Sequence, residues 1–329
     1  MITLKKLSLL VYFALVASLL NAQLPMYDDP LYHGAADPVV VYNAKQKLWF
    51  MLYTNRRATL TDSNGVRWVH HTPIGVATSR DGKSWQYKDT ANIQCRFDSG
   101  YTYWAPDVIA DKGTYHMYLT YVPGVFNDWN HPRSIVHCTS KDLMNWQFES
   151  KLSLANEKVI DPSVYKVNDT LWRMWYNSEP TGKNIYYAES NDLYHWQDKG
   201  VAIDNRGEGP KVFFWHNKYY LIMDEWKGMS IFSSDDLLHW TKQTNRILEE
   251  PGTSKDDQAI GGHCDVVVNN NRAFIYYFTH PGRVKGKPKP ANMFDARRSV
   301  IQIRELIYKD GEISCDRNKA DNIQLVAGK

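Results

Sequence analysis

The chain has 329 residues, of which 43% are hydrophobic and 23% charged, and its formal net charge is +3 at pH 7. This composition is typical of a soluble globular protein and excludes a disordered chain, a polytopic membrane protein and a collagen-like or coiled-coil rod. The near-neutral charge gives no indication of binding to nucleic acid or to an anionic membrane. Aromatic residues make up 13% of the chain, a content that suits packing between β-sheets and the lining of sugar-binding clefts.

Residues 1–22 have the pattern of an export signal. Two lysines precede an almost uninterrupted apolar run over residues 7–20, and Ala22 supplies a small residue at the expected cleavage site. No cysteine follows that site, so a lipid anchor is not expected. No later stretch approaches the roughly 20 apolar residues that cross a bilayer. We therefore expect a mature chain of residues 23–329 that is periplasmic or secreted.

A seven-residue motif, Ser-x-Asp-x-x-x-Trp, recurs four times, and each copy follows a short strand-like stretch. The copies occupy residues 79–85, 140–146, 190–196 and 234–240. We expect each Asp to cap a turn and each Trp to pack between repeated units.

A second motif opens each repeated unit. It places a carboxylate at the start of a short strand, and a second strand rich in aromatic residues follows. The five openings are Asp37-Pro38, Trp104-Ala105-Pro106-Asp107, Asp161-Pro162, Glu208-Gly209-Pro210 and His263-Cys264-Asp265. Repeats of roughly 40–50 residues with about four strands each are typical of β-propeller blades. We predict an all-β protein in which residues 23–329 form one five-bladed β-propeller without a second domain.

The closure of the ring is open at this stage. The fifth unit lacks the Ser-x-Asp-x-x-x-Trp motif and runs instead through strand-like residues 299–306. Either residues 24–36 or the C-terminal strands could join the last blade to the first.

The five carboxylates indicate where chemistry takes place. The first strand of each propeller blade lines the central channel, so we expect up to five acids in a ring at one mouth. Like charges this close together are costly unless they bind a cation, share protons or act on a substrate. The structural alternative is that each Asp-Pro pair only forms a turn at the start of a strand.

These motifs resemble those of glycoside hydrolase family 43, whose clan of five-bladed propeller enzymes also includes family 117. The resemblance extends over about residues 30–310, and the Glu-Gly-Pro block is its most specific part. It implies that Asp37 is the general base, that Glu208 is the general acid, and that Asp161 tunes this acid and orients the substrate.

Hydrolysis of a glycosidic bond with inversion needs one carboxylic acid to protonate the leaving oxygen and one carboxylate to activate water. The two groups stand roughly 6.5–9.5 Å apart so that the water fits between them and the sugar. Acids on different blades can meet this separation across a narrow channel. We therefore predict an inverting glycosidase that removes a terminal sugar from plant or algal oligosaccharides, with arabinofuranosidase, xylosidase or galactosidase specificity.

Further residues are assigned by position. The resemblance implies that His263 helps to hold a cation or water at the channel axis. Any cation there would be calcium or sodium, held largely through water. A simpler interpretation gives His263 a hydrogen bond to a backbone carbonyl. Trp104, Asp107, Arg56 and His263 are expected to contribute to the substrate site, with Asp107 set back from the reacting groups. The basic cluster at residues 283–289 is expected to be a solvent-exposed loop.

Three other functions fit parts of the pattern. A non-catalytic sugar-binding propeller would use the same ring and aromatic residues without turnover. A family 117-like anhydro-galactosidase is less well matched, because residues 200–207 lack a histidine upstream of Glu208. A sialidase-like enzyme would space the repeated Asp and Trp five residues apart, whereas here they are four apart. The expected partner is an oligosaccharide in each case.

Overall fold

Five β-sheets surround a common axis in the computed structural model, which describes residues 24–61, 64–94 and 100–327. The predicted export signal lies outside the described residues. Within the described part of the chain, no helix is long and apolar enough to cross a membrane. The predicted all-β fold with five propeller blades is confirmed.

Each blade is a sheet of about four strands. An N-terminal strand, β1, spans Met26–Tyr27. The first blade contains β2 (Ala35–Asn43), β3 (Leu48–Asn55), β4 (Ile74–Ser79) and β5 (Gln86–Thr90). The second contains β6 (Asn92–Gln94), β7 (Thr102–Asp111), β8 (Thr114–Val122), β9 (Ser134–Ser140) and β10 (Asn145–Lys151). The third contains β11 (Val159–Asn168), β12 (Leu171–Ser178), β13 (Asn184–Ser190) and β14 (Gln197–Ile203). The fourth contains β15 (Glu208–Trp215), β16 (Lys218–Asp224), β17 (Met229–Ser234) and β18 (Thr241–Lys242). The fifth contains β19 (Gly262–Asn269), β20 (Arg272–Thr279), β21 (Val300–Lys309) and β22 (Glu312–Cys315). The helices are a short α1 (Met293–Arg297) and two 3-10 turns (Arg67–Val69 and Glu179–Thr181).

Both ends of the chain complete the fifth blade. Strand β1 pairs antiparallel with β21, so that Met26 faces Gln302, and β22 pairs with the later part of the same strand. The C-terminal segment then reaches the first blade, where the Leu325 N–H donates to the Asp81 carbonyl oxygen at 2.7 Å. The two routes that the sequence left open are therefore both used.

Apolar side chains pack between neighbouring blades. Five buried clusters lie around the ring, one at each junction between sheets. Between the first two blades, Phe50, Met117 and the repeated Trp146 belong to one such cluster, and all are at most 1% exposed. In the same repeat, the Asp142 carboxylate accepts the backbone N–H groups of Met144 and Asn145 at 2.8 Å. The predicted roles of the repeated Asp and Trp, capping and packing, are confirmed here.

A β-bulge interrupts the innermost strand of every blade at the same place. The bulges fall between the pairs Ala36/Val39, Trp104/Asp107, Ile160/Ser163, Glu208/Lys211 and Gly262/Cys264. Left-handed φ values occur inside four of them, at Ala105 (44°), at Gly209 (58°) and at the two aspartates Asp37 (50°) and Asp161 (57°). Asp tolerates this conformation better than most residues. Bulges re-aim side chains, and the two that contain these aspartates aim a carboxylate at the channel mouth.

The carboxylates form two layers rather than the single predicted ring. Asp37, Asp161 and Glu208 occupy the first two positions of their bulges and line one cavity. Asp107 and Asp265 come after the bulge, and each carboxylate lies 2.8 Å from the Lys211 ammonium. The expectation of one ring was wrong because the bulge separates positions that look equivalent in sequence. We refer to Asp107, Lys211 and Asp265 as the axial ion cluster.

The axial ion cluster joins the blades. Asp107 accepts the backbone N–H of Val164 in the third blade at 2.6 Å, and Asp265 accepts that of Val40 in the first blade at 2.7 Å. Lys211 comes from the fourth blade. Burial alone would lower the pKa of its ammonium, but Asp107 and Asp265 raise the pKa above its ordinary value, so the group stays charged.

Replacing Lys211 by Met should destabilise the fold by about 3–5 kcal/mol, because two buried carboxylates would lose their only shared cation among the described residues. Urea unfolding followed by tryptophan fluorescence measures the change. Lys218→Met is the matched control, since Lys218 pairs with Asp235 on the surface and such pairs contribute about 0–1 kcal/mol. An unfolding midpoint equal to that of the wild type would contradict the role given to Lys211.

Candidate active site

A cavity of about 1090 Å³ opens at the mouth of the channel. The carboxylates Asp37, Asp161, Glu208 and Asp224 line it. Aromatic side chains make much of its wall, namely those of Trp68, Trp104, Trp129, Trp226 and Phe278. A concave site with apolar walls and a few convergent polar groups is the usual form of a small-ligand site.

Asp37 is buried and held from two sides. The Nη2 group of Arg56 donates to both of its carboxylate oxygens, at 3.0 and 3.1 Å. Nδ1 of His263 lies 3.6 Å from Oδ1 of the same carboxylate. Arg56 follows directly after β3, whose last residues face the start of β2. This contact fixes the orientation of the Asp37 carboxylate.

Asp161 is tied to its two neighbouring blades. Its backbone N–H donates to Oγ1 of Thr120 at 3.0 Å, and its Oδ2 accepts the backbone N–H of Gly209 at 3.1 Å. Burial raises the pKa of the Asp161 carboxyl well above its ordinary value, and the negative charges of Glu208 and Asp37 raise it further. The group therefore holds its proton more tightly than an exposed aspartate.

Gly209 makes the close contact between these residues possible. It has a φ of +58°, and a Cβ atom at this position would lie 2.5 Å from Cγ of His263. The glycine of the Glu-Gly-Pro block thus allows the backbone N–H to reach Asp161 while the His263 ring packs against the chain.

Glu208 is the most exposed of the three predicted catalytic side chains, at 26% against 7% for Asp37 and 9% for Asp161. Its Oε1 accepts the indole N–H of Trp226 at 3.0 Å, and its Oε2 accepts a hydrogen bond from Lys183 at 3.2 Å. The carboxyl group is therefore held in place while it remains open to the cavity.

Asp224 is a fourth carboxylate that the sequence analysis missed. It ends β16 directly opposite Glu208, and it accepts the N–H groups of Trp226 at 2.6 Å and His263 at 3.1 Å. Burial and the nearby charge of Glu208 raise the pKa of Asp224 to about 7. The equivalent residues of the first two blades are Thr54 and Thr120, which accept the same kind of N–H. An acid where other blades carry threonine was the signal that could have identified it.

The other predicted site residues fall in different places. Trp104 lines the cavity, and its indole N–H donates to the Val69 carbonyl oxygen at 2.6 Å. Arg56 also lines the cavity but is bound to Asp37. Asp107 does not line it, because its carboxylate belongs to the axial ion cluster. The expectation that residues 283–289 are solvent-exposed is wrong at Arg283, which is half-buried and faces the cavity.

The cation predicted at His263 stays a prediction. In the part of the chain that the structure describes, no group of three or more His, Cys, Asp or Glu side chains is arranged to hold a metal ion. Both oxygens of the neighbouring Asp37 are bound by the Arg56 guanidinium, which would repel a cation beside them. Burial lowers the pKa of His263, which favours its neutral form, and its Nδ1 lies 3.6 Å from Oδ1 of Asp37.

Comparison with known families and structures gives a consistent match. A family model described as a probable glycosyl hydrolase domain, related to family 43, matches residues 20–256. No curated protein matches the sequence.

Solved structures share the fold at low sequence identity. A thermostable family-43 glycoside hydrolase is 18% identical, with a TM-score of 0.67 over 92% of this chain and 99% of its own. A family-43 β-xylosidase/α-arabinofuranosidase from a compost microbial metagenome, solved with xylotriose in a calcium-free form, is 16% identical, with a TM-score of 0.63 over 88% and 98%. A family-43 β-1,3-galactosidase solved with galactodeoxynojirimycin is 14% identical, with a TM-score of 0.61 over 86% and 93%.

The raised pKa of Asp224 predicts a specific dependence of stability on pH. Between about pH 4 and 7 the folded protein binds the Asp224 proton and the unfolded chain has released it, so this group stabilises the fold less as the pH rises. Asp224→Asn lacks this contribution at every pH. As the pH rises from 4 to 7, the unfolding free energy of the wild type should therefore fall relative to that of Asp224→Asn, by up to about 1.4 kcal/mol per pH unit.

Urea unfolding of both proteins at several pH values measures this shift. Asp235→Asn, which removes an exposed carboxylate, is the control for the loss of one charge. A stability difference between Asp224→Asn and the wild type that stays constant from pH 4 to 7 would show that Asp224 ionises normally.

Proposed function

Because the chain belongs to the family-43-related glycosyl hydrolases, we propose that it is an exported exo-acting enzyme that cleaves a terminal sugar from an oligosaccharide with inversion. The observation that carries this proposal is the convergence of Asp37, Asp161 and Glu208, from three different blades, on one aromatic-walled cavity. Their surroundings differ in burial and in hydrogen-bond partners, as a division into base, modulator and acid requires.

Glu208 is proposed as the general acid. Its carboxyl group is the most open to the cavity, and Lys183 and Trp226 hold it in a fixed position. From there it would protonate the oxygen of the departing sugar as the glycosidic bond breaks. Trp226, which is 37% exposed, lies beside it and would offer an apolar face to that sugar.

Asp37 is proposed as the general base. The Arg56 guanidinium orients its carboxylate, which would accept a proton from the attacking water on the opposite face of the sugar ring. Asp161 accepts the backbone N–H of Gly209, the residue after Glu208, and holds its proton tightly. It would therefore act by hydrogen bonding to the substrate and through its effect on Glu208.

An oligosaccharide fits the cavity and the structural relatives. The family-43 relatives solved with xylotriose and with galactodeoxynojirimycin support a sugar as the ligand class. The carboxylates and the aromatic side chains line a single cavity at one mouth of the channel. A cavity of this form favours binding of the end of a sugar chain, which supports exo action.

Export is proposed from the pattern of residues 1–22. We expect the protein recovered from the periplasm or the medium to begin at Gln23, as measured by N-terminal sequencing. A variant without residues 1–22 is the control and should stay in the cytoplasm. Recovery of the wild type with residues 1–22 intact would contradict the cleavage site.

Glu208→Gln should lower kcat/KM by roughly 100- to 10,000-fold, since an amide cannot donate the proton that the leaving sugar needs. The measurement is release of sugar from a panel of aryl glycosides and plant or algal oligosaccharides, with proton NMR to identify the anomer formed first. Asp235→Asn, at an exposed carboxylate that is not part of the cavity lining, should hydrolyse at the wild-type rate.

Two results would count against the proposal in different ways. Equal rates for the wild type and Glu208→Gln would remove Glu208 from the acid role, and retention of the anomeric configuration would exclude inversion. Sugar binding by both proteins without turnover would favour a non-catalytic sugar-binding propeller.

A further inference from the structure

Cationic side chains are concentrated in the wall of the cavity. Six of them line it: Arg56, Arg133, Lys158, Lys183, Arg283 and Lys285. Four are paired with carboxylates. Arg56 binds Asp37, Arg133 binds Glu179, Lys183 binds Glu179 and Glu208, and Lys285 binds Glu250. Lys158 donates to the side chain of Asn130 at the rim.

Arg283 differs from the other arginines of the wall. Its Nε donates to the Ala296 carbonyl oxygen at 2.7 Å, but no carboxylate among the described residues lies within ion-pair distance of its guanidinium. Its Nη1 and Nη2 groups make no hydrogen bond to a described residue. Burial and the nearby charge of Arg56 together lower the pKa of Arg283 to about 10. A half-buried cation without a counter-charge is costly until an anion joins it.

The position of Arg283 is fixed by its surroundings. Its backbone N–H donates to the His280 carbonyl oxygen at 2.8 Å, and its guanidinium lies 5.8 Å from the Trp68 ring. The preceding Gly282 packs against α1 so closely that a Cβ atom there would lie 2.1 Å from the Asp295 carbonyl oxygen. The Arg283 side chain is therefore held in one position at the cavity wall, unlike a lysine or arginine of an exposed loop.

The wall that contains Arg283 is on the Asp37 side of the cavity. Arg56, which is bound to Asp37, has its Nη1 3.4 Å from Nε2 of His280, the residue whose carbonyl oxygen accepts the Arg283 N–H. Glu208 is held on the other side by Lys183 and Trp226. In the proposed reaction the base acts at the anomeric carbon of the terminal sugar, and the acid acts at the leaving group. In this arrangement Arg283 would face the terminal sugar.

We propose that the terminal sugar cleaved by this enzyme carries an anionic substituent, a carboxylate or a sulfate ester, and that the Arg283 guanidinium binds it. This inference rests on the proposed function and names its substrate class. A guanidinium presents paired N–H donors that match both kinds of oxyanion. The neutral hydroxyl groups of an unsubstituted sugar would leave the charge of Arg283 uncompensated.

The test compares charged and neutral forms of the same sugar. The substrates are 4-nitrophenyl hexuronides, their methyl esters, and 4-nitrophenyl hexosides with and without a 6-O-sulfate, each as both anomers of the gluco and galacto sugars. We expect the wild type to prefer a charged form over its neutral partner. In Arg283→Met, the ratio of kcat/KM for the charged over the neutral form should fall by about 10- to 100-fold, mainly through KM.

Two further variants make the result specific. Arg283→Lys keeps the charge with fewer donors and should retain an intermediate preference, and thermal unfolding shows whether both variants are folded. Lys287→Met removes a positive charge from the same loop at an exposed side chain, and should leave the preference as in the wild type. Faster cleavage of the free uronide than of its methyl ester identifies the carboxylate, and faster cleavage of the sulfated hexoside identifies the sulfate.

The failure of this inference is distinguishable from that of the proposed function. Two results would overturn the anion site but not the glycosidase activity. One is Glu208-dependent hydrolysis at equal rates for the charged and neutral substrates, and the other is a preference for the charged substrate that is unchanged in Arg283→Met. If no substrate is cleaved, titration of glucuronate, galacturonate and glucose 6-sulfate against tryptophan fluorescence decides the matter. Binding that Arg283→Met abolishes supports the anion site, and no binding to the wild type overturns it.

Discussion

The ammonium group of Lys211, placed between two buried carboxylates, is the interaction on which the geometry of the channel depends. Each of the two acids also accepts a backbone N–H from the blade that follows its own. One cation thereby connects the fourth blade to the second and fifth, and through them the third and first. Because an ion cluster of this kind is costly to break on one side only, it fixes how closely the five inner strands approach. The positions of the carboxylates above it follow from that spacing.

The bulge in each inner strand separates the residues that line the cavity from those that stabilise the ring. Residues within the first two bulge positions face the cavity, whereas Asp107, Lys211 and Asp265 beyond the bulge face one another at the axis. The strained φ values of Asp37, Ala105 and Asp161, 44–57°, belong to the bulge itself, since Ala105 has no functional group to aim. Such strain persists only where the surrounding structure over-determines it, and here the neighbouring blades supply that constraint.

The sequence predicted the fold because the same two motifs recur in it, and four copies of one turn motif make a blade boundary unmistakable. It also located Asp37, Asp161 and Glu208, since each stands at the start of an inner strand. It could not separate the axial acids from these three, because a bulge of one or two residues is invisible in the spacing of carboxylates. Asp224 was missed because it ends an aromatic strand, and Arg283 because a basic stretch interrupted by Pro is typical of solvated loops.

The pairing of both chain ends with β21 has a consequence for biogenesis. The ring cannot close until the last blade has been synthesised, and until then the first blade exposes the apolar face that it later packs against the fifth. Contacts between the two ends of a long chain form slowly, and exposed apolar edges in the interval favour aggregation. A protein of this design therefore depends on being kept apart from other unfolded chains until its C-terminus has emerged.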